Sequence, residues 1–327
     1  VTADPGNIPS TQDAGQPIST VSPPPLSSPS RKAYKFYCLS IAMVPVIAVA
    51  ASFFIARSFW YVRHQKNSYL AISDYPFTLQ NTHCEVIIYG DSSALTGLSP
   101  QVIRTATALR TCNIAQPNTA LAIAGAFALD SYLQNNARPK FLIFQFAAPD
   151  FSPMNSNGRL YEEGALQLIR HRLDLQTFKL FARHPMQALE FSEFILRTAL
   201  FEKDWTGGTY DRSWAEIQAT QGLFTAPRPP LVHCLGDLEE KSPDPLWIQG
   251  LRKRYSVGGT RVLVYVAPQP ECDNSYDYYA EKIAPLADNP LQRFSIGMFN
   301  EKNHFTREGA ALNSAHVAAD IARMLGE

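Results

Sequence analysis

Twenty consecutive residues without a charge, 37–56 (YCLSIAMVPVIAVAASFFIA), constrain this chain more than any other stretch. As a helix rising about 1.5 Å per residue they cross the roughly 30 Å hydrocarbon core of a bilayer. Pro45 is tolerable inside a membrane helix, and Trp60 and Tyr61 follow where interfacial aromatics sit. The segment therefore reads as an anchor over 34–60 that meets the membrane through residues 37–56. The rivals are a buried core helix and a cleaved secretory signal, since Ala48-Val49-Ala50 before Ala51-Ser52 has small-residue cleavage chemistry. The long polar region ahead of it favours an uncleaved anchor. Arg31, Lys32 and Lys35 lie before the span and Arg57, Arg63 and Lys66 after it, so basic residues do not fix the orientation.

Residues 1–33 are rich in Pro, Ser, Thr and Gln and hold too few large apolar side chains to offset the entropy of ordering, which predicts a disordered tail. Residues 61–83 read as a juxtamembrane connector, partly helical. Beyond it lies enough apolar sequence for one globular domain over 84–327. Lysine plus arginine equals aspartate plus glutamate at 29 each, so no global charge argues for nucleic acid.

Short apolar runs at 85–89, 112–115, 141–146, 261–267 and 294–298 alternate with helical patterns, notably at 101–109 and 120–134. Buried runs separated by helices predict an α/β fold, a sheet of about five parallel strands covered on both faces in three layers. An insertion of about 152–258 separates the third and fourth strands. It opens with helical patterns broken near Pro185, continues as proline-rich loop, and ends in a helix at 246–255. A lid, a partner surface or extra core all suit such an insertion.

Cys38 lies in the span, which leaves Cys84, Cys112, Cys234 and Cys272 downstream. Cys84 precedes the first strand and Cys112 opens the second, so parallel neighbours bring the two together at the N-terminal edge of the sheet. By elimination Cys234 pairs with Cys272. Such bonds imply an oxidising compartment; four free buried thiols are the alternative.

The chemistry centres on VIIYGDSSALTGLSP, where a buried strand runs into Gly90-Asp91-Ser92 and then a helix. The C-terminal edge of a parallel sheet is where α/β proteins put their sites. A serine nucleophile needs a base and an acid to orient that base. Glu301 and His304 lie in the loop after the last strand, which opens at the same edge as the Ser92 turn. The other histidines fall near the membrane, at the opposite edge, in the insertion or in the terminal helix. Asp91 can brace the turn by accepting backbone N–H bonds, and Asp150 either orients a substrate or holds its loop. The metal-ligand types present lack paired spacing, so no metal site is expected, and without a phosphate-loop or dinucleotide fingerprint no cofactor is expected either.

Gly90-Asp91-Ser92, Asn113-Ile114-Ala115 and Glu301-x-x-His304 resemble blocks I, II and V of the SGNH (GDSL-type) hydrolase superfamily, whose sheet is flavodoxin-like. The resemblance covers about 84–325, including the long insertion. With the anchor and the cysteines it is most similar to membrane-anchored, extracytoplasmic proteins that take part in polysaccharide O-acylation. It implies Ser92 as nucleophile, His304 as base and Glu301 in place of the usual aspartate. It also implies the Ser92 N–H and the backbone of Asn118 as oxyanion donors, supported by Asp91, Asn113 and Asp150. The block III asparagine is replaced at Ala147-Ala148-Pro149-Asp150, where Pro149 has no N–H to give. Losing one such donor costs about 100- to 1,000-fold in rate unless Asn155 or another loop group substitutes.

The implied function is a serine esterase or O-acyltransferase acting on acyl esters, in the first place acetyl esters, of envelope carbohydrate. It would be a single-pass protein of a bacterial inner membrane with its domain periplasmic or extracellular, beside a membrane-bound O-acyltransferase partner. The alternative is a non-catalytic SGNH-like binding or assembly subunit of a polysaccharide modification machine.

Overall fold

The computed structural model describes residues 30–66, 69–154, 159, 161–225 and 228–326; most of the tail expected over 1–33 lies outside them. The chain divides at Val44–Pro45 into two compact units. Among its described residues the first holds only the beginning of helix α1 (Arg31–Arg57), and the second holds everything that follows. An 18-residue window of helix α1 has a mean hydropathy of 2.4, and the helix is long and apolar enough to cross a membrane.

The second unit is built on a parallel sheet of four strands, β1 (Val86–Gly90), β2 (Thr111–Asn113), β3 (Phe141–Phe146) and β4 (Arg261–Val266), in the order β2-β1-β3-β4. Alternation along the strands sends side chains to two cores. Val86, Ile88, Ile143, Leu263 and Tyr265 enter one, while Ile87, Tyr89, Leu142, Phe144 and Val264 enter the other. Helices cover both faces, which is why the central strands are apolar at nearly every position.

Helices α2 (Phe59–Arg63) and α3 (Tyr69–Thr78) follow the apolar helix, and α4 (Ser92–Gly97) and α5 (Pro100–Thr107) follow β1. The segment expected as a connector is more than that, because Leu70, Ala71, Ile72 and Tyr75 of α3 are core residues. The helix expected over 120–134 is two, α6 (Asn118–Ala124) and α7 (Phe127–Asn135), separated where Gly125 takes φ +57°. The insertion carries α8 (Glu162–His171), α9 (Leu175–Arg183), α10 (Pro185–Leu200), α11 (Gly208–Thr220) and α12 (Pro245–Tyr255). Of these α11 stands where loop was expected. Leu166, Ile169, Phe181, Phe191, Ile195 and Ile217 make the insertion part of the core.

The expected fifth strand at 294–298 does not join the sheet. Arg293–Phe294 (β6) pairs with Gln269–Pro270 (β5) in a separate two-stranded ladder, and Ile296–Met298 is a 3₁₀ turn. The reason lies on the outer edge of β4. Asp288 Oδ2 accepts the Val264 N–H at 2.7 Å, and Asn289 Oδ1 accepts the Val266 N–H at 2.8 Å. Side chains thus satisfy the groups that a fifth strand would pair. Helices α13 (Tyr276–Ile283) and α14 (Arg307–Gly326) complete the chain.

Both disulfides form as expected. Cys84 pairs with Cys112 with their Cα atoms 5.9 Å apart, and Cys234 pairs with Cys272 at 6.3 Å. Two structural disulfides point to an oxidising compartment.

Candidate functional site

Strand β1 ends at a close approach to β3. A Cβ on Gly90 would lie 1.8 Å from the carbonyl oxygen of Gln145, so only glycine lets the chain turn here. Asp91 then caps α4, accepting from the Ser93 N–H at 2.7 Å and the Ser93 hydroxyl at 2.5 Å. Its other oxygen accepts the Ala147 N–H at 2.8 Å. The carboxylate therefore ties the Ser92 turn to the end of β3.

Buried amides hold the rest of α4. Asn113 Nδ2 donates to the carbonyls of Ala94 and Leu98, Gln145 Nε2 to that of Ser93, and Asn313 Nδ2 to that of Gly97. Asn313 also donates to Gln145 Oε1 at 3.0 Å. Asn113 is thus a brace of the helix that carries Ser92. Gln145 and Asn313 were not singled out from sequence; the signal for Gln145 is a lone amide inside the apolar run FLIFQF.

The loop carrying Glu301 and His304 docks on the same helix. Phe299 and Phe305 pair antiparallel at its neck, and the His304 carbonyl accepts the Asn300 N–H at 3.0 Å. The Phe305 N–H donates to Thr96 Oγ1 at 3.3 Å, and Thr96 in turn donates to the Ser92 carbonyl at 2.9 Å. A Cβ on Gly97 would come within 2.6 Å of the Phe305 ring, so the loop sits directly on α4. Through Phe305 and Thr96, the loop that carries His304 is thereby joined to the helix that begins at Ser92.

Within the loop, His304 Nδ1 lies against the Glu301 carboxylate without the alignment of a hydrogen bond, and the same carboxylate contacts Arg228. Burial pushes the His304 imidazole down to about 4, and the positive charge of Arg228 adds to that. Arg228 was not anticipated from sequence. The hydrogen bonds of Ser92 run through its backbone, and none joins its Oγ to His304 among the described residues. Ser92 as a whole residue is 9% exposed.

Asn118 and Asp150 complete the constellation. Asn118 Oδ1 accepts the Ser92 N–H at 3.3 Å, so the expected oxyanion donor is engaged by a side chain, and Asn118 Nδ2 donates to Asp150 Oδ2 at 2.7 Å. Asp150 stands at the end of the 3₁₀ turn Ala148–Asp150, with its carboxyl within hydrogen-bond reach of Asp91. Burial first, and then the neighbouring Asp150 charge, push the Asp91 carboxyl far up. Burial raises Asp150 as well, against its bonds to Asp91 and Asn118. Two carboxyls buried side by side resist ionising together. Asn155, the alternative donor, lies outside the described residues.

A cavity of about 350 Å³ opens beside this pair, lined in part by Asn118, Thr119, Asp150, Ser152, Tyr161 and Lys241. Its walls offer hydroxyl, amide and charged groups. Among the described residues no cluster of three or more histidine, cysteine or acidic side chains could hold a metal ion. Comparisons with protein-family models, with curated proteins and with solved structures find no match for this chain.

Proposed function

We propose that this chain is a membrane-anchored, extracytoplasmic serine esterase or O-acyltransferase of SGNH type, acting on acyl esters of envelope carbohydrate. The observation that carries the reading is the docking of the 300–305 loop on α4. Phe305 bonds Thr96 and packs on Gly97, and the same loop carries His304 with Glu301 against its Nδ1, which supports a His304 that serves the Ser92 turn. In this reading Ser92 Oγ attacks the ester carbonyl carbon and His304 Nε2 takes its proton. The ester C–O bond then breaks, and the leaving alcohol receives that proton. Water or a sugar hydroxyl next attacks the acyl-serine, with His304 taking and returning a proton in the same way. Catalytic hydrogen bonds are often long before substrate binds, and the Ser92–His304 contact would tighten in the complex. The polar cavity at Asp150 suits a carbohydrate better than a long acyl chain.

A partner in the membrane and a bacterial inner membrane as the site of anchoring belong to the same proposal. So does a periplasmic or extracellular domain, which the two disulfides favour. A second reading, a non-catalytic binding subunit, is favoured by one observation: Asn118 occupies the Ser92 N–H that an oxyanion would need.

The deciding experiment is hydrolysis of a small chromogenic acetate ester by the full chain in detergent. Wild type is compared with Ser92→Ala and His304→Ala. Loss of turnover in both variants supports the nucleophile and base. A wild type no faster than its variants, together with indifference of fluorophosphonate labelling to Ser92→Ala, would favour the binding subunit.

A further inference from the structure

A group of apolar side chains lies exposed at the end of the apolar helix and beyond it. Phe54 of α1, Phe59 and Trp60 of α2, Leu200 at the end of α10, and Phe201 and Trp205 after it are all open, Phe201 at 80% and Trp205 at 73%. Hydrogen bonds tie the segments that carry them together. Ser52 of α1 bonds Ser192 of α10 at 3.0 Å, and Tyr61 of α2 bonds Thr198 of α10 at 2.8 Å. The Asp204 N–H donates to the His64 carbonyl at 2.7 Å. The 201–207 segment is held further by Asp204, whose carboxylate accepts from Thr206 and Thr209.

Between these rings lies one cation. Lys203 Nζ is 3.2 Å from the centroid of Trp205 and 5.1 Å from that of Trp60. Soluble surfaces rarely expose apolar groups contiguously on this scale. Tryptophan rings with a lysine among them are the composition of a bilayer interface, where rings sit at headgroup level and an ammonium reaches phosphate. The patch is continuous with α1, because Phe59 and Trp60 stand within one turn of its last residue, Arg57.

We infer that this surface is a second membrane contact, in which Leu200, Phe201 and Trp205 enter the headgroup region of the leaflet that α1 leaves, with Lys203 against lipid phosphate. The insertion between β3 and β4 then rests on the bilayer, and the orientation of the sheet edge bearing Ser92 is set relative to the lipid surface. The inference rests on α1 being the membrane span.

The test uses the full chain reconstituted in vesicles of phosphatidylethanolamine and phosphatidylglycerol, with and without lipid brominated near the glycerol end of its acyl chains. The Trp205 emission is taken as wild type minus Trp205→Phe, and the Trp247 emission as wild type minus Trp247→Phe. Trp205 is expected to be quenched at least about twofold more than Trp247, because only the former sits at the interface. Lys203→Glu is expected to reduce that quenching in the anionic vesicles. Equal quenching of the two tryptophans overturns the inference. Shielding of Trp205 from both brominated lipid and aqueous acrylamide also overturns it, and assigns the patch to a second copy of the chain. Retention on vesicles through alkaline carbonate reports the span separately. A chain that is retained but shows no Trp205 quenching refutes the patch alone, whereas a chain that is released refutes the span.

Discussion

Asn118 donates its Nδ2 to Asp150 Oδ2 at 2.7 Å and, through its other side-chain atom, accepts the N–H of Ser92. One amide thus joins the turn after β1 to the turn after β3. Its removal leaves a buried carboxyl and a backbone donor each short of a partner. Asn118→Ala is expected to cost about 1–3 kcal/mol of stability, the range for unsatisfied buried polar groups. Chemical unfolding of the full chain in detergent measures it, and an unchanged midpoint would mean that the bridge does not form in solution.

His304 is held near 4 by burial and then by Arg228, so its imidazole is neutral and able to accept a proton across the neutral range. If His304 is the base, the acid limb of kcat/KM for ester hydrolysis lies near pH 4 instead of near the ordinary histidine value of 6.5. Replacing Arg228 with Gln removes the opposing charge and releases Glu301 to the imidazole. The limb is then expected to move upward. An NMR titration of His304 gives the same number without turnover, and a value unmoved by Arg228→Gln would remove Arg228 from the account.

The Asp91–Asp150 pair predicts a stability that falls with pH. The ordinary carboxyl value is 3.8, and in the folded chain Asp91 is pushed up to about 8, first by burial and then by Asp150. Between these values the folded chain holds a proton that the unfolded chain has released, so stability declines as pH rises through that window. His304 acts in the opposite sense below its ordinary value, which makes a difference measurement necessary. Asp150→Asn keeps an oxygen for Asn118 and offers Asp91 a fixed donor in place of a second carboxyl. Its melting temperature is expected to change less than that of wild type between pH 5 and pH 8, two settings chosen roughly to bracket the titration. Equal slopes would show that the pair is not what titrates.

The sheet, its parallel sense and both disulfides were legible because each rests on local apolar runs or on strand adjacency. The fifth strand is absent because Asp288 and Asn289 occupy the edge of β4, bonding Val264 and Val266 more than 20 positions earlier in the chain, which no local pattern records. Glu301 and His304 are expected at the sheet edge of Ser92 only through that fifth strand, whereas their loop meets α4 through Phe305 and Thr96. The resemblance points to the backbone of Asn118, yet its amide makes the contact, and the lone amide of Gln145 in an apolar strand marks a buried polar group without saying that it and Asn313 hold α4. Contacts between residues far apart in the chain set these roles, and periodicity carries no record of them.

The partly buried guanidinium of Arg170 gives the last prediction. Its Nε and Nη2 donate to the two oxygens of Asp74 at 3.0 and 2.8 Å, and its Nη1 reaches the carbonyls of Ala56, Arg57 and Ser58. His171 Nε2 lies 2.7 Å from the same carboxylate, its ring stacked on Phe77. Burial alone would raise Asp74, but His171 and Arg170 together hold it below the ordinary value. The fork therefore fastens α3 of the core to the last carbonyls of α1. Arg170→Ala leaves the buried Asp74 carboxylate with His171 as its remaining side-chain partner and is expected to cost about 3 kcal/mol, the low end of the range for breaking a buried pair. Lysine keeps the charge but cannot span both carboxylate oxygens and the helix end, so Arg170→Lys is expected to recover only part of the loss. Unfolding midpoints of the three chains decide it. Full recovery by lysine would show that charge, and not the planar geometry of the guanidinium, joins the helix to the core.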